Sequence, residues 1–538
     1  MNNDQLVYLK PNVVIEPLVD QWYAWPHLIS PATAAMNFIE RHIKIMDSYI
    51  QAPHIHAAAV KNPKMKGGPF MDLGGKRVED IKALKENTLT TQAKILEFAR
   101  ALKEMDKILK TEAHGFSLEP LYQKIPPILK GYVELFYDLN NHPSYRLFEP
   151  LLYHSEFYRR ASQSLALWMT NNDERPFVLS TPRIAMEGVL NVPIAFDNPV
   201  IDQLSAMKRN PALLEDIRLQ LGLATQELPL FNSFFTTEEP TPYRKYEGDK
   251  IRMRYFGHAC ILVETREISI LLDPLISYYG YQTEVNRFSD IDLPDQIDFV
   301  LITHNHQDHI LFETLLPLRH KIKNIIVPKT YGGTLQDPNL KLMFQQIGFS
   351  NVFELGEMES IRIGECEITG LPFLGEHCDI DIRSKICHHV KIGDFKMLFA
   401  ADSCNIQTEV YRNVQALMGV INILFLGMEC DGAPLTWLYG PLLTEPISRE
   451  KDNSRRLAGS NFERGMELVN VFQPNEIYVY AMGQEPWLEF ISSIKYTPES
   501  NPIIQSDKLI AACRDRGLTA ERLFGEKELL FEKHQVAM

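Results

Sequence analysis

His304-Asn305-His306-Gln307-Asp308-His309 places four potential metal ligands within six positions, at the spacing H-x-H-x-D-H. The residues just before it, Phe299-Val300-Leu301-Ile302, form a short apolar run that is partly β-branched. Such a run reads as a strand covered on both faces rather than as an amphipathic helix. Ligands that follow it therefore start from a rigid base. In a tight loop, His304 and His306 can face one metal while Asp308 and His309 reach a second. Imidazole and carboxylate donors suit zinc, iron or manganese, and the absence of cysteine from the cluster argues against a structural zinc knot. With 16 histidines in the whole chain, chance is a poor account of three beside an acid in one short loop.

This spacing is the signature of the metallo-β-lactamase fold, and the chain resembles that fold over residues 246–538. Arg254-Tyr255-Phe256-Gly257-His258-Ala259-Cys260-Ile261-Leu262-Val263-Glu264 looks like its opening hairpin, and Ile270-Leu271-Leu272-Asp273-Pro274 like its next strand and turn. The resemblance implies an α/β (α+β) chain whose C-terminal part is a four-layer αββα sandwich with the metals at one sheet edge. Further ligands are then expected at later strand ends. Candidates are Glu376 or His377, after the Cys366–Phe373 strand pattern, and Asp402, after the apolar run Met397–Ala401. In this fold an aspartate at that second place usually bridges both metals. Read without the fold, Asp402 is a strand-end turn former.

The Glu376–His377 pair leaves the register of the third ligand open. Hydrolases of this fold place a histidine there and usually carry another on a late loop. Here the corresponding strand, Glu476–Tyr480, runs into Ala481-Met482-Gly483-Gln484-Glu485-Pro486-Trp487, and no histidine follows before His534. A glutamate-containing, histidine-poor site resembles the di-iron β-hydroxylases of the chloramphenicol pathway (CmlA-type), as do the total length and the large N-terminal region. That resemblance implies ligands at His304, His306, Asp308, His309, Glu376 and Asp402, with Glu376 and Asp402 as the catalytic carboxylates. It also implies two iron ions, with O2 and an external electron donor as co-substrates. The substrate would be an amino acid tethered as a thioester to a peptidyl carrier protein of a nonribosomal peptide synthetase, in antibiotic biosynthesis. The alternative is a dinuclear zinc metallo-hydrolase, whose metals polarise a carbonyl or phosphoryl oxygen.

Charge counting supports the iron reading. Asp308, Glu376 and Asp402 set three negative charges against four positive for two divalent ions, where a histidine in place of Glu376 would leave two. A harder, more anionic donor set tolerates ferric iron, which redox-silent zinc has no use for. His377 then competes for the ligand role or orients Glu376 as an outer partner.

Other polar residues have plainer readings. His54 and His56 have ligand-like spacing but no acidic neighbour, and His388-His389 reads as a β-edge pair. Cys378 and Cys404 each lie two residues after a candidate ligand and read as small buried thiols. Glu429, Asp431 and Glu485 follow strand patterns and are weak candidates to approach the site. The glycine pairs at Gly67-Gly68 and Gly74-Gly75 lack the phosphate-loop pattern.

A length of 538 residues suggests two domains. The expected boundary is the stretch Phe234–Gly248, where Thr236-Thr237-Glu238-Glu239-Pro240-Thr241-Pro242 is polar and doubly proline-punctuated. Residues 1–240 would form a separate mixed α+β domain for dimerisation and carrier docking, and 246–538 the catalytic domain. Within the first, a helix is expected from about Thr88 to Thr111, a less regular one over Ala34–Met46, and strands near Leu179–Pro182 and Asn191–Pro193. The net charge of −14 argues against nucleic-acid or anionic-membrane partners. Met1–Gln5 shows no signal-peptide pattern, no run of about 18 apolar residues occurs, and the seven cysteines have no framework spacing. The expectation is a cytoplasmic homodimer.

Overall fold

Along a strand every second side chain goes to the same face, so a strand apolar at every position must be covered twice. In the computed structural model, which describes residues 5–533 apart from 66 and 282, the C-terminal half contains two seven-stranded sheets and a two-stranded ribbon of Ala433–Pro434 with Arg456–Leu457. Met1–Asp4 and His534 lie outside the described residues. In spatial order the first sheet contains Val352–Leu355, Ile322–Pro328, Ile297–Leu301, Ser269–Leu272, Cys260–Glu264, Ile251–Gly257 and Lys527–Phe531. The second contains Ser360–Ile363, Cys366–Leu371, Cys387–Ile392, Phe395–Phe399, Ile423–Gly427, Glu476–Tyr480 and Thr519–Arg522.

The alternation sorts residues between three cores. Ile261, Val263, Ile270, Leu272, Leu301 and Ile326 meet Val390, Met397, Phe399, Ile423 and Phe425 between the sheets. Their strand neighbours Leu398, Leu424, Leu426, Ile477 and Val479 face outward, under the helices Thr408–Met418, Phe462–Phe472 and Asn501–Asp515. On the other side, Cys260, Leu262, Leu271, Val300, Ile325 and Val327 share one core with the N-terminal region. The sandwich is thus αββα, and the N-terminal region forms part of the cover of its first sheet.

That region is mixed α+β, with an antiparallel sheet of Trp22–Tyr23, Val13–Val19, Gln163–Met169 and Leu190–Pro193. The last of these is an expected strand, whereas Leu179–Pro182 is loop. The expected helix over Thr88–Thr111 is two helices, Val78–Thr91 and Ala93–Glu112, broken at Gln92 (φ −102°, ψ 15°). Thr90 and Thr91 hydroxyls bond back to the carbonyls of Glu86 and Asn87, a contact that loosens a helical turn. The irregular apolar spacing of Ala34–Met46 also has a cause: a π-helical turn, Phe38–His42, separates the helices Pro31–Asn37 and Ile43–Gln51. Phe235–Thr236 pairs with Leu6–Leu9, and residues 237–250 contain neither helix nor strand.

His388-His389 is not at a sheet edge. Its strand, Cys387–Ile392, lies inside the second sheet between Cys366–Leu371 and Phe395–Phe399, and His388 Nε2 donates to the Ile302 carbonyl at 2.9 Å.

One buried ion network ties the N-terminal region to the metal-bearing half. The Arg175 guanidinium donates to Glu16 (3.0 Å) and to both oxygens of Glu313 (2.7 and 2.8 Å), and it lies 3.7 Å from the centroid of the Phe490 ring. Glu16 belongs to strand Val13–Val19, and Glu313 to helix Phe312–Leu318, which follows the metal loop. Arg183 also donates to Glu16. Burial alone would raise the Glu16 pKa, but Arg183 and Arg175 outweigh it and hold the carboxyl below its usual value. Removing Arg175 leaves buried carboxylate charge uncompensated, a change that costs about 3–5 kcal/mol. Arg175→Met is therefore expected to lower unfolding stability in urea by that amount at neutral pH. A loss under about 1 kcal/mol, the scale of an exposed pair, would show that the network does not hold the two halves together.

Candidate metal centre

Parallel pairing sets Ser269–Leu272, Ile297–Leu301 and Ile322–Pro328 side by side in the first sheet, and Phe395–Phe399, Ile423–Gly427 and Glu476–Tyr480 in the second. Their C-terminal ends share one edge of the sandwich; His304–His309 and Asp402 follow two of them, and Glu376 follows Cys366–Leu371. Loops on such a scaffold hold side chains in fixed directions. The backbone is strained there. Of fourteen non-glycine residues at positive φ among the described residues, seven lie at this edge: His258, Asp273, Glu376, Cys378, Asp379, Ala401 and Ala481. Left-handed non-glycine residues cost of order 1–3 kcal/mol each and collect at functional sites.

The structure brings all six predicted residues together. His304 Nε2 and His306 Nδ1 are 3.1 Å apart, and Glu376 Oε1 is 3.1 Å from His306 Nδ1. Glu376 Oε2 lies 3.9 Å from His304 Nε2. Asp402 Oδ2 lies 2.9 Å from His309 Nε2 and 3.7 Å from His304 Nε2, between the two groups. Asp308 is on the His309 side, with Oδ2 3.4 Å from His258 Nε2. Donor atoms ~2.1 Å from one ion stand about 3.0 Å apart at right angles and about 3.4 Å apart in a tetrahedron. Most of these separations fit that pattern, and Asp402 is placed to serve both groups.

Each histidine has its tautomer set from behind. His309 Nδ1 donates to Asp273 Oδ2 at 2.8 Å, so Nε2, on the Asp402 side, is the nitrogen a metal would take. Thr303 donates its hydroxyl to the same carboxylate (2.6 Å) and accepts from His304 Nδ1 (3.0 Å). With His306 Nδ1 turned to His304 and Glu376, its Nε2 proton goes to the phenolic oxygen of Tyr439, 2.9 Å away. Hydrogen bonds of this kind orient metal-binding imidazoles and raise their basicity.

Burial and the neighbouring charges compete in the electrostatics. Burial pushes the His304 pKa far below normal, helped by the neighbouring imidazoles. It raises the Asp402 pKa as well. Burial would also raise Glu376, but His306 and His377 outweigh it and bring the carboxyl down to about 2. Asp308 is likewise held low against burial, chiefly by its hydrogen bond with His258 and the His309 charge. Asp402 Oδ1 is buried without a hydrogen-bond partner. A concentration of imidazoles and carboxylates with an unpaired buried oxygen fits a pair of cations. Three carboxylates among the donors fit iron.

We propose that Glu376, not His377, is the third ligand. His377 reaches the cluster through Glu376, with Nδ1 2.9 Å from Glu376 Oε2, while its ring stacks on His306 at 4.5 Å. Gly375 makes this turn possible: its φ is +67°, and a Cβ there would meet Cys404 Cβ at 2.7 Å.

The weaker candidates have other partners. Glu429 accepts from Gly432 N (2.6 Å) and Tyr496 OH (3.2 Å), and burial raises its pKa to about 7. Asp431 is exposed and accepts from Asn501. Glu485 is buried and accepts from Tyr255 OH. Cys404 Sγ accepts from Arg464 at 2.9 Å, and burial raises the pKa of both Cys378 and Cys404. His54 is exposed, and His56 is a buried ring that pairs with Ser48 and Met71 N.

Sequence reasoning missed three residues. Asp273 carried a signal, an acid at the end of a buried strand before proline. His258 carried a weaker one, a histidine after glycine in a tight hairpin. Tyr439, 133 positions from its partner, carried none.

Comparison with known proteins spans both halves. The model of the diiron non-heme beta-hydroxylase N-terminal domain matches residues 8–240, and that of the beta-lactamase superfamily domain matches residues 269–431. The chain is 38% identical to the 4-amino-L-phenylalanyl-[CmlP-peptidyl-carrier-protein] 3-hydroxylase of Streptomyces venezuelae over 523 residues, 96% of this chain and 98% of that one. The crystal structure of CmlA, a diiron beta-hydroxylase from Streptomyces venezuelae, matches with a TM-score of 0.92 at 38% identity, over 97% of this chain and 99% of that chain. The UPF0173 metal-dependent hydrolase YtkL of Bacillus subtilis is 28% identical over 110 residues, 20% of this chain and 45% of its own length.

The ligand assignment is tested by metal content under chelator competition. Losing an outer partner of a ligand typically weakens binding about 10–100-fold. Glu376→Ala is expected to weaken one metal by more than about 100-fold, and His377→Ala by about 10-fold. The opposite order would give the ligand role to His377.

Proposed function

This chain belongs to the diiron non-heme beta-hydroxylase family, and we propose that it hydroxylates the β-carbon of an aminoacyl group held as a thioester on a carrier domain of a nonribosomal peptide synthetase. The supporting observation is identity of 38% across the N-terminal region and the metal half together, with a third carboxylate, Glu376, beside His304 and His306. The zinc-hydrolase alternative is not favoured. O2 and an external electron donor are the co-substrates in this reading, and two iron ions are the resident metals.

His304, His306 and Glu376 would hold one iron and Asp308 and His309 the other, with Asp402 shared between them. Bound there, the iron pair supplies the activation of O2 that C–H hydroxylation requires. The protein contributes position and protonation state. Asp273 keeps a proton on His309 Nδ1 and, through Thr303, on His304 Nδ1. Tyr439 does the same at His306 Nε2. His304 and His309 have no exposed surface and Glu376 is 7% exposed, so these three are screened from bulk water, while Asp308 and Asp402 are partly exposed.

The N-terminal region reaches this site through Tyr439. Arg41 donates to the carbonyls of Trp437 and Leu438 (2.8 and 2.9 Å), pinning the turn that presents Tyr439 to His306. We assign residues 1–240 to dimerisation and carrier docking and residues 246–538 to the chemistry. Docking the carrier would raise the local concentration of the aminoacyl group and orient its β-carbon.

Single-turnover product from the chemically reduced, iron-loaded protein exposed to O2 tests this reading. Across a panel of amino acids, the carrier-bound form of the true substrate is expected to react at least about 100-fold faster than the free amino acid. Equal rates for bound and free forms throughout the panel would remove the carrier from the account.

A further inference from the structure

A cavity of about 600 Å³ opens where the N-terminal region, the linking segment 237–250 and the first sheet meet. It lies away from the metals. Ile322 pairs with Ile297, the first residue of the strand Ile297–Leu301 whose far end leads into the metal loop. Lys321, just before Ile322, therefore stands at the opposite edge of the sheet. A strand of five residues, ~16 Å long, separates the two edges.

Three lysine and arginine side chains line this cavity, Lys208, Arg209 and Lys321, and two of them are committed. Lys208 Nζ is 2.9 Å from Asp290 Oδ2. Arg209 donates to Asp295 at 2.6 Å and to the carbonyls of Asp290, Ile291 and Leu293 at 3.0, 2.7 and 2.8 Å. Lys321 is 9% exposed and has no hydrogen bond or ion pair among the described residues. Burial first, then the Arg209 charge, pushes its ammonium down to about 8, with Asp290 and Asp295 acting the other way, so at neutral pH it is still charged. On the same lining, Asp290 Oδ1 is buried without a hydrogen-bond partner.

A buried ammonium and a buried carboxylate oxygen are thus left open on one cavity. They are close enough for their charges to interact, yet they do not pair with each other. Buried polar groups without partners are costly. One water, with a share of about 30 Å³, would satisfy either by a hydrogen bond but would fill little of the space and add no charge. A simple anion would meet Asp290, Asp295, Glu238 and Glu239, which also line the cavity, and a simple cation would meet Lys321. A ligand with one charge of each sign suits both open groups. The walls beside them include Leu9, Ile15, Ile276, Leu318 and Tyr243, apolar or aromatic surface for a side chain, and the volume falls in the range of small-molecule sites, about 300–1,000 Å³.

We propose that this cavity binds a free α-amino acid with an apolar or aromatic side chain, its carboxylate accepting from Lys321 Nζ and its ammonium donating to Asp290 Oδ1. The site is separate from the metal centre, and binding there does not depend on the reaction at the metals.

Calorimetric titration of the metal-loaded, full-length protein tests this. L-phenylalanine and L-leucine are compared, each beside the analogue lacking its ammonium and the analogue lacking its carboxylate. At least one of the two amino acids is expected to bind once per chain, and its single-charge analogues about 30-fold or more weakly, the scale for removing one partner of a buried charge pair. Lys321→Met is expected to weaken binding of that amino acid by the same factor and to keep the metal content of the wild-type protein. Lys321→Gln repeats the test should the methionine variant not fold. No saturable binding of either amino acid, analogues that bind as tightly as their parents, or wild-type affinity in the lysine variants would each overturn the proposal.

Discussion

Six ionisable side chains crowd into a space where bulk water does not compensate them, and the architecture around them depends on that constraint. Uncompensated, three carboxylates in so small a space repel one another, and isolated buried charge is too costly to persist. Neutral imidazoles do not cancel that charge; they soften it. Two cations with a combined charge of at least four do cancel it, and the separations of about 3 Å between donor atoms leave room for them. The strained residues at the strand ends are a further cost accepted to keep these donors aimed inward. Asp273 links the parts, because one carboxylate orients both His309 and, through Thr303, His304.

The N-terminal region is part of this account at the level of packing. It shares a core with the outer face of the first sheet, and Arg175 ties Glu16 to Glu313 just beyond the metal loop. Arg41 reaches the turn that carries Tyr439. A surface used for assembly or docking can therefore sit on a body that also sets the geometry of a metal ligand. Among the described residues, no helix is long and apolar enough to cross a membrane.

Much of this was legible in the sequence wherever a short-range pattern carried it. Ile423–Gly427 and the hairpin strand Cys260–Glu264 are largely apolar runs because both sheet faces are buried. The histidine loop and Asp402 are local features of strand ends. What escaped depended on distance or on exceptions to local rules. Tyr439 meets His306 only through the fold. His258 looked like part of a hairpin because its contact needs a residue beyond another strand, Asp308, and an unusual φ. A helix over Thr88–Thr111 was expected, but its break at Gln92 was not, since an apolar stripe can run on past a turn that side-chain hydroxyls have loosened. His388-His389 read as an edge pair because nothing local tells an interior strand from an outer one.

Anomalous diffraction from crystals of the protein grown under iron-replete conditions tests the central claim most directly. Data collected on either side of the iron absorption edge should show two iron peaks. One should lie among His304, His306 and Glu376 and the other among Asp308, His309 and Asp402, about 3.5–4 Å apart as in other two-metal sites. Peaks that persist only at the zinc edge, or a single metal in place of the pair, would contradict the account.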